Sequence, residues 1–225
     1  HIKGEIIDFP FTTFEECRNK SIEHGKKYGD YGFWIDADEE LILNDTWNRN
    51  DFKKNLIKDK PDQVLFNCYY PPLNYNRSQM FRFDADYTWY GPVHEVLKSD
   101  KENQTATEFP YGKVLIKAEG NSWKTADISK KYEEHANILL DYQIKNNWED
   151  TRWTFYLAQS YKDAALPLLM NNPKDERGLD LGKKAINFYR DRTLNIEGFN
   201  QEMYYSQLMI ARISHFFNTV EYSIY

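Results

Sequence analysis

The pattern of apolar residues changes character near residue 120, and this change limits the folds open to the chain more than any other feature. Before that point, short apolar runs alternate with turns and two amphipathic helices, as is typical of an α/β unit. After it, apolar residues recur at helical spacing, and Ile128, Tyr132 and Ala136 share one helix face. We therefore expect an α/β domain over residues 1–122 and an all-α domain over residues 123–225.

Local signals place the individual elements. Thr13-Phe-Glu-Glu16 is a capping box that opens a helix, and Pro61 ends a second helix because it cannot continue one. In the first domain the predicted helices span 13–27 and 49–58, and the predicted strands span 33–35, 64–70, 78–83 and 113–118. In the second domain the predicted helices span 126–146, 151–165, 179–192 and 201–217, with a loop over 167–178.

Charge and cysteine content exclude several functional classes. The 225 residues carry a formal net charge of −6, which argues against nucleic acid as a partner, because proteins that bind nucleic acid usually present a basic surface. No apolar run approaches the roughly 18 residues that a membrane span needs. Cys17 and Cys68 are too few for a disulfide scaffold. We therefore expect no membrane span and a reducing, cytoplasmic location.

An acidic run follows the apolar residues Phe33-Trp-Ile35. Six acidic residues and no basic one lie between Asp30 and Asp45, and Asp36-Ala-Asp38 stands at the end of the predicted buried strand. Ligands of open α/β sheets bind at the carboxyl ends of strands, and Mg²⁺ takes one or two carboxylates together with substrate phosphates. The pattern therefore indicates a divalent-cation site, and a solvated acidic turn is the structural alternative.

A second motif, Trp89-Tyr-Gly-Pro-Val-His94-Glu95, places two rings and a bend before an imidazole and a carboxylate. His94 has the chemistry of a ligand or proton donor, and Glu95 that of a general base. The structural alternative is a strand end with a hydrogen-bonded histidine. The spacing alone leaves both interpretations open.

Together the motifs resemble the family 2-type glycosyltransferases of GT-A fold that carry C-terminal tetratricopeptide-like helices. The resemblance covers nearly the whole chain, and its specific part is the W-x-G-x-V-H-E motif followed by F-Y-L-A-x-x-Y. The residues that carry it are Arg18-Asn19, Ile35-Asp36-Ala-Asp38-Glu39, Phe81-Arg-Phe83, Trp89 to Glu95 and Arg152 to Tyr161. It implies a partial GT-A, Rossmann-like mixed sheet, whose nucleotide-binding part precedes His1 and is missing here.

The resemblance also implies roles for single residues of the donor site. Asp36 is expected to contact the donor's ribose or sugar and to take part in catalysis, and Asp38 to bind Mn²⁺ or Mg²⁺ at the diphosphate. Arg18 is expected near the donor phosphates. Where many relatives carry a histidine near the end of the α/β part, this chain has Lys117 and Glu119. Lys117 is therefore expected to supply positive charge at the diphosphate, and Glu119 is an alternative metal ligand.

On the acceptor side, the resemblance makes Glu95 the base, with Trp89 and His94 binding the acceptor. The expected activity is transfer of a sugar from a nucleotide-diphosphate donor, a UDP-sugar, to a protein, peptide or glycan, with inversion of anomeric configuration. One alternative is a non-catalytic module that binds a peptide or glycan. A hydrolase fits less well, because Asp36 and Asp38 would point the same way from one strand. The helices either bind the acceptor or support the α/β domain.

Overall fold

A computed structural model describes residues 5–117 and 127–217. The described residues form two compact units. The first unit comprises residues 5–91 and 95–117, and the second comprises residues 92–94 and 127–217. Ala118, Glu119 and Ala126, which belong to the predictions above, lie outside the described residues. Within the described ranges, no helix has both the length and the apolar character to cross a membrane.

The first unit is an α/β structure with a five-stranded mixed sheet. Its helices are α1 (Phe14–Gly25) and α2 (Arg49–Asp59). Its strands are β1 (Tyr31–Phe33), β2 (Glu39–Leu43), β3 (Gln63–Tyr70), β4 (Leu73–Arg82), β5 (Tyr87–Tyr90), β6 (Val96–Ser99) and β7 (Ala106–Ile116). The sheet order is β1-β4-β3-β7-β2, and β5 pairs with β6 in a separate hairpin. Among the strand pairs that the structure describes in the five-stranded sheet, only β3–β7 is parallel.

Both helices of this unit begin where the sequence predicts. The Thr13 hydroxyl accepts a hydrogen bond from the Glu16 amide at 3.1 Å, and Asn48 caps α2 in the same way. These side chains satisfy amides that have no partner within the helix. The predictions of helices near 13–27 and 49–58 are therefore confirmed.

The strand prediction is right for β3, wrong in extent for the inner strands β4 and β7, and wrong at the edges of the sheet. Strand β7 begins at Ala106, ahead of the predicted start at Lys113. In β3, Val64, Phe66 and Cys68 alternate with less buried residues and pack in the core of the sheet. The predicted buried strand over 33–35 is wrong, because β1 ends at Phe33 and is an edge strand. Phe33 and Ile35 are 38% and 43% exposed. Strands β2, β5 and β6 were not predicted, and β4 begins at Leu73, ahead of the predicted start at Ser78.

Two close interactions fix the sheet. The Asp62 carboxylate accepts hydrogen bonds from the Thr105 amide at 2.8 Å and from Lys101 Nζ at 2.6 Å, and it pairs with Arg82. This carboxylate joins the starts of β3 and β7 to the end of β4. At the outer edge, Gly112 of β7 lies so close to β2 that an added Cβ would be 2.1 Å from the Ile42 carbonyl oxygen.

The second unit is helical, with α3 (Ile128–Lys145), α4 (Thr151–Asn171), α5 (Glu176–Leu194) and α6 (Asn200–Ser214). Consecutive helices contact one another, and their shared core includes Leu139, Trp153, Leu157, Ile186 and Tyr189. The prediction of an α/β part followed by a helical part is confirmed at this level.

The predicted loop over 167–178 is wrong in extent. Helix α4 passes through Pro167 and ends at Asn171, and α5 begins at Glu176. Leu169 is fully buried, and a Cβ on Gly178 would lie 3.0 Å from it. Close packing of Leu169 against the start of α5 therefore keeps the last turn helical despite the proline, whose local cost the buried contact offsets.

Arg192 is the largest charged side chain in this core, with an exposed fraction of 0%. Its guanidinium donates to Glu202 Oε2 at 3.1 Å and to the carbonyl oxygens of Asn195 and Phe199 at 2.9 and 3.0 Å. Every nitrogen of the guanidinium therefore has a partner, as a buried charge requires. This arginine ties the end of α5 to the start of α6.

Candidate functional site

The candidate site is built around Arg18, which lies on α1. Its Nη2 atom is 2.9 Å from Asp36 Oδ1, and its Nε atom is 2.7 Å from Glu95 Oε1. The Arg18 and Glu95 side chains are 22% and 12% exposed, whereas Asp36 is 39% exposed. One guanidinium thus joins two carboxylates that are far apart in sequence, and it brings together three residues that the sequence predicted for the site.

Two tryptophan rings flank this guanidinium. Arg18 Cζ lies 4.5 Å from the centroid of the Trp89 ring and 5.1 Å from that of Trp34. The two rings meet edge to face, with centroids 4.9 Å apart. A cation over the face of a tryptophan is attracted by the ring's quadrupole, so the rings fix the guanidinium in addition to the two ion pairs. Trp89 is thereby placed in the site, and Trp34 is a site residue that the sequence reasoning did not select.

Helix α1 positions Trp89 through its side chains as well. Asn19 Nδ2 donates to the Trp89 carbonyl at 2.8 Å, and the Trp89 amide donates to Asn19 Oδ1 at 2.7 Å. The Gly91 amide donates to Glu15 Oε2 at 2.9 Å. Glu15, Arg18 and Asn19 are spaced so that they share one face of the helix. That spacing is the signal by which Glu15 could have been found in the sequence.

The loop that carries the two aspartates is not the end of a buried strand, as the sequence suggested. It follows the edge strand β1 and leads to β2 at the opposite edge of the sheet. Glu39, whose side chain is 3% exposed, accepts hydrogen bonds from the Asp36 amide and from Gln79 Nε2, and it pairs with Arg77 at 2.6 Å. Arg77 in turn stacks on Trp34, with its Cζ 4.4 Å from the ring centroid. Glu39 therefore holds the loop that presents Asp36.

Asp38 and Lys117 lie beside each other, but with different partners. The Lys117 amide donates to the Asp38 carbonyl at 2.9 Å, while Lys117 Nζ pairs with Glu40 at 2.6 Å. Within the described ranges, the exposed Asp38 carboxylate has no hydrogen-bond or ion-pair partner. The charge of Lys117, predicted to face the diphosphate, is thus directed at Glu40.

The donor set for a metal consists of Asp38, with Asp36 engaged by Arg18. Among the residues that the structure describes, no three His, Cys, Asp or Glu side chains form a group that could hold a metal ion. Magnesium sites often use one or two carboxylates and take their other ligands from water and substrate phosphates. A free, solvent-facing Asp38 carboxylate fits that limited role, and Glu119 lies outside the described residues.

His94 belongs to the second unit, whereas Trp89, Asp36 and Glu95 belong to the first. Its ring stacks on Tyr156, with centroids 4.6 Å apart and planes at 17°. Burial, and to a smaller extent the positive charges of His135, Arg152 and Lys131, together lower the pKa of His94 to about 4. The imidazole is therefore neutral near pH 7. The described contacts of Trp89 and His94 lie within separate units.

A cavity of about 550 Å³ opens beside Arg18 in the first unit. Among the described residues that line it, Arg18 alone is charged, and aromatic rings such as Trp34, Phe81, Phe83 and Trp89 form much of the wall. This volume lies within the range of small-molecule sites. The cavity is suited to a ligand with a flat apolar part and a group that a guanidinium can bind.

No protein-family model matches the chain, and comparison with curated proteins finds no match either. The chemistry of the site must therefore be argued from its own residues.

Proposed function

We propose that this protein is a glycosyltransferase that moves a sugar from a UDP-sugar to a hydroxyl or thiol group of a protein, peptide or glycan. The single observation that supports this most strongly is the joining of Asp36 and Glu95 by Arg18. Sugar transfer needs groups that bind a charged donor and a carboxylate that takes a proton from the acceptor. Arg18 and Asp36 are the groups for the donor, and the less exposed Glu95 is the carboxylate for the acceptor proton.

In the proposed reaction Glu95 is the general base. It removes the acceptor proton as the acceptor oxygen or sulfur attacks the anomeric carbon and the nucleotide diphosphate leaves. Attack opposite the leaving group inverts the anomeric configuration. Asp36 orients the donor's ribose or sugar, and Arg18 is the nearby cation that can answer the phosphate charge once it exchanges one of its carboxylates. Trp89, whose buried ring packs on Arg18, shapes the acceptor side.

Asp38 is the residue proposed to hold Mn²⁺ or Mg²⁺. The ion, when bound, would neutralise charge on the leaving diphosphate. The role of the protein is to keep a free carboxylate exposed at that point, and the buried Glu39 does so by holding the loop. Lys117 is proposed as a supplementary cation, which requires that it leave Glu40 when the donor binds.

The proposal for the fold of the two units rests on the resemblance of the sequence motifs to GT-A glycosyltransferases with tetratricopeptide-like helices. We propose that the mixed sheet of the first unit is part of a GT-A fold and that the helices of the second are tetratricopeptide-like and bind the acceptor. Leu157, Ala158 and Tyr161 of α4 and Ala185 and Tyr189 of α5 are all buried, which agrees with the small and large packing positions of such helices. Cys17 and Cys68 are free thiols, and they support a reducing, cytoplasmic location.

A non-catalytic binding module is the second candidate. The cavity beside Arg18 favours it, because no acidic residue is among the described residues that line it. A site that binds through rings and one guanidinium needs no base. In this alternative the Arg18 ion pairs are structural, and Glu95 does not exchange protons with a ligand.

Calorimetric titration with UDP tests donor binding. We expect UDP to bind in the presence of Mn²⁺, and we expect EDTA and Asp38→Ala each to weaken binding at least tenfold, because both remove the ion from the diphosphate. Asp45→Ala is the matched control, since it removes an exposed carboxylate from the same acidic run. Equal binding by both variants would contradict the role of Asp38.

Transfer is tested by release of UDP from a panel of UDP-sugars in the presence of peptide and glycan acceptors. Glu95→Gln is expected to lower kcat by about 10²–10⁴, the usual contribution of a general base, while UDP binding is retained. Glu102→Gln, at an exposed turn, is the control. UDP binding without transfer by the wild-type protein would favour the binding module.

A further inference from the structure

The second unit contains a cluster of basic side chains that the proposed transfer does not use. Within the described residues, His94 Nε2, His135 Nδ1 and Arg152 Nε are buried and have no hydrogen-bond partner. They come from the segment before Glu95, from α3 and from α4. A buried nitrogen without a partner is costly, so these three nitrogens require an explanation such as a bound ion.

Aromatic contacts hold His94 and Arg152 on Tyr156, and His135 on His94. The His94 ring stacks on Tyr156 at 4.6 Å, and Arg152 Cζ lies 4.6 Å from the centroid of the same ring. The ring of His135 is perpendicular to that of His94, with centroids 6.1 Å apart. Tyr132 packs edge to face on His135 at 5.7 Å. The cluster is thus preorganised by packing rather than by hydrogen bonds to its nitrogens.

The charge of the surroundings is positive. Arg152 and Lys131 both act on His94 and lower its pKa, in addition to the larger effect of burial. Burial and Lys131 also lower the pKa of His135, and Glu134 opposes this shift. The Asp150 carboxylate caps the helix by accepting from the Arg152 amide at 2.9 Å, and Arg152 Nη1 lies 3.9 Å from Glu202, which is too far for a hydrogen bond. A cation is disfavoured here, and an anion would be attracted.

We propose that His94, His135 and Arg152 form a binding site for an oxyanion, the phosphate or carboxylate group of a ligand. An oxyanion accepts hydrogen bonds from a guanidinium and from imidazole N–H groups. It therefore supplies the partners that the three buried nitrogens lack. The site contains none of Asp36, Asp38 and Glu95, so this proposal can be tested independently of the proposed sugar transfer.

Histidine ring resonances of the full chain report on this site by NMR. Inorganic phosphate and, separately, acetate are titrated at pH 7 and constant ionic strength. We expect saturable shifts of the His94 and His135 resonances with phosphate, with weaker binding of acetate because it carries less charge. Acetate binding as tightly as phosphate would identify a carboxylate ligand. His24, which is in the first unit, serves as the internal reference. The pKa of His94 should rise when phosphate is bound, since an anion favours the imidazolium.

Arg152→Gln is expected to weaken phosphate binding roughly tenfold or more, as for loss of a charge-assisted hydrogen bond. Arg212→Gln is the matched control, because Arg212 is exposed on α6. Arg152→Lys keeps the positive charge but lacks the planar array of guanidinium N–H donors, so it should bind phosphate with intermediate affinity. His135→Gln is an independent variant, so misfolding of one does not decide the result, and thermal unfolding identifies which variants are folded. Shifts that do not saturate with either anion, or equal affinities of Arg152→Gln and Arg212→Gln, would overturn the proposal.

Discussion

Replacing Arg18 with glutamine should destabilise the first unit by about 3 kcal/mol. The largest contribution comes from Glu95, whose 12% exposed carboxylate would lose its charged partner, at about 1.5–3 kcal/mol. The pair with Asp36 adds only a few tenths, because that side chain is 39% exposed and water screens it. Loss of the contacts with Trp34 and Trp89 adds about 0.5–1 kcal/mol.

Urea unfolding followed by tryptophan fluorescence measures this change, because Trp34 and Trp89 both border the guanidinium. Arg49→Gln is the matched control, since Arg49 is exposed at the start of α2. The control should stay within about 0.5 kcal/mol of the wild-type free energy of unfolding. Arg18→Lys should recover part of the loss, because lysine keeps the charge but cannot contact two carboxylates with a planar fork.

A double-mutant cycle isolates the Arg18–Glu95 pair. Glu95→Gln alone leaves the guanidinium with one carboxylate fewer, and the double variant removes both charges of the pair. Because the groups are in contact, the double variant should lose about 1–3 kcal/mol less than the two single variants combined. Additive losses, or a stability of Arg18→Gln within about 0.5 kcal/mol of wild type, would refute this account of the site.

Three further predictions concern interactions within the first unit or within the second. Burial opposes ionisation of Asp62, but its hydrogen bonds from Lys101 and Thr105 lower its pKa from 3.8 to about 2. The Asp62 carboxylate should therefore add about 2 kcal/mol to the free energy of unfolding above pH 4, and this contribution should be lost as the pH falls toward 2. Asp62→Asn should abolish this pH dependence, whereas Asp59→Asn, at an exposed position, should leave it unchanged. Gly112→Ala should lower the free energy of unfolding by more than about 2 kcal/mol, because the added Cβ would clash with the backbone of β2. Gly29→Ala should be tolerated in the same assay, because its added Cβ would lie at ordinary contact distance. Arg192→Met should cost about 3–5 kcal/mol, because Glu202 keeps a buried charge without its closest partner, and Arg212→Met, at an exposed position, should leave the unfolding midpoint near that of wild type.

The sequence predicts the helices well because their signals are local. Thr13 caps α1, as its capping box predicts, and α2 ends just before Pro61. In α3, Ala136 of the predicted apolar face is buried. Each of these signals acts over one or two helical turns, so no knowledge of the distant chain is needed.

The strands and the loop were harder to predict because their state depends on partners. The apolar run at 33–35 has the composition of a buried strand, but β1 lies at the edge of the sheet. Strand β2 begins with acidic residues, which are not typical of a strand, yet it pairs with β7. Similarly, Pro167 is a local stop signal that burial of Leu169 overrides. Neighbours in the fold, not the residue types, decide each of these cases.

By itself, the sequence determined the order of an α/β part and a helical part, and it marked Arg18, Asp36, Asp38, Trp89, His94, Glu95 and Lys117 as candidate site residues. Only the tertiary structure decided which of them meet. It joined Asp36 and Glu95 through one guanidinium, directed Lys117 to Glu40, and surrounded His94 with other basic groups. The physical reason is that ion pairing and stacking act over a few ångströms in space, whereas a motif records only positions along the chain.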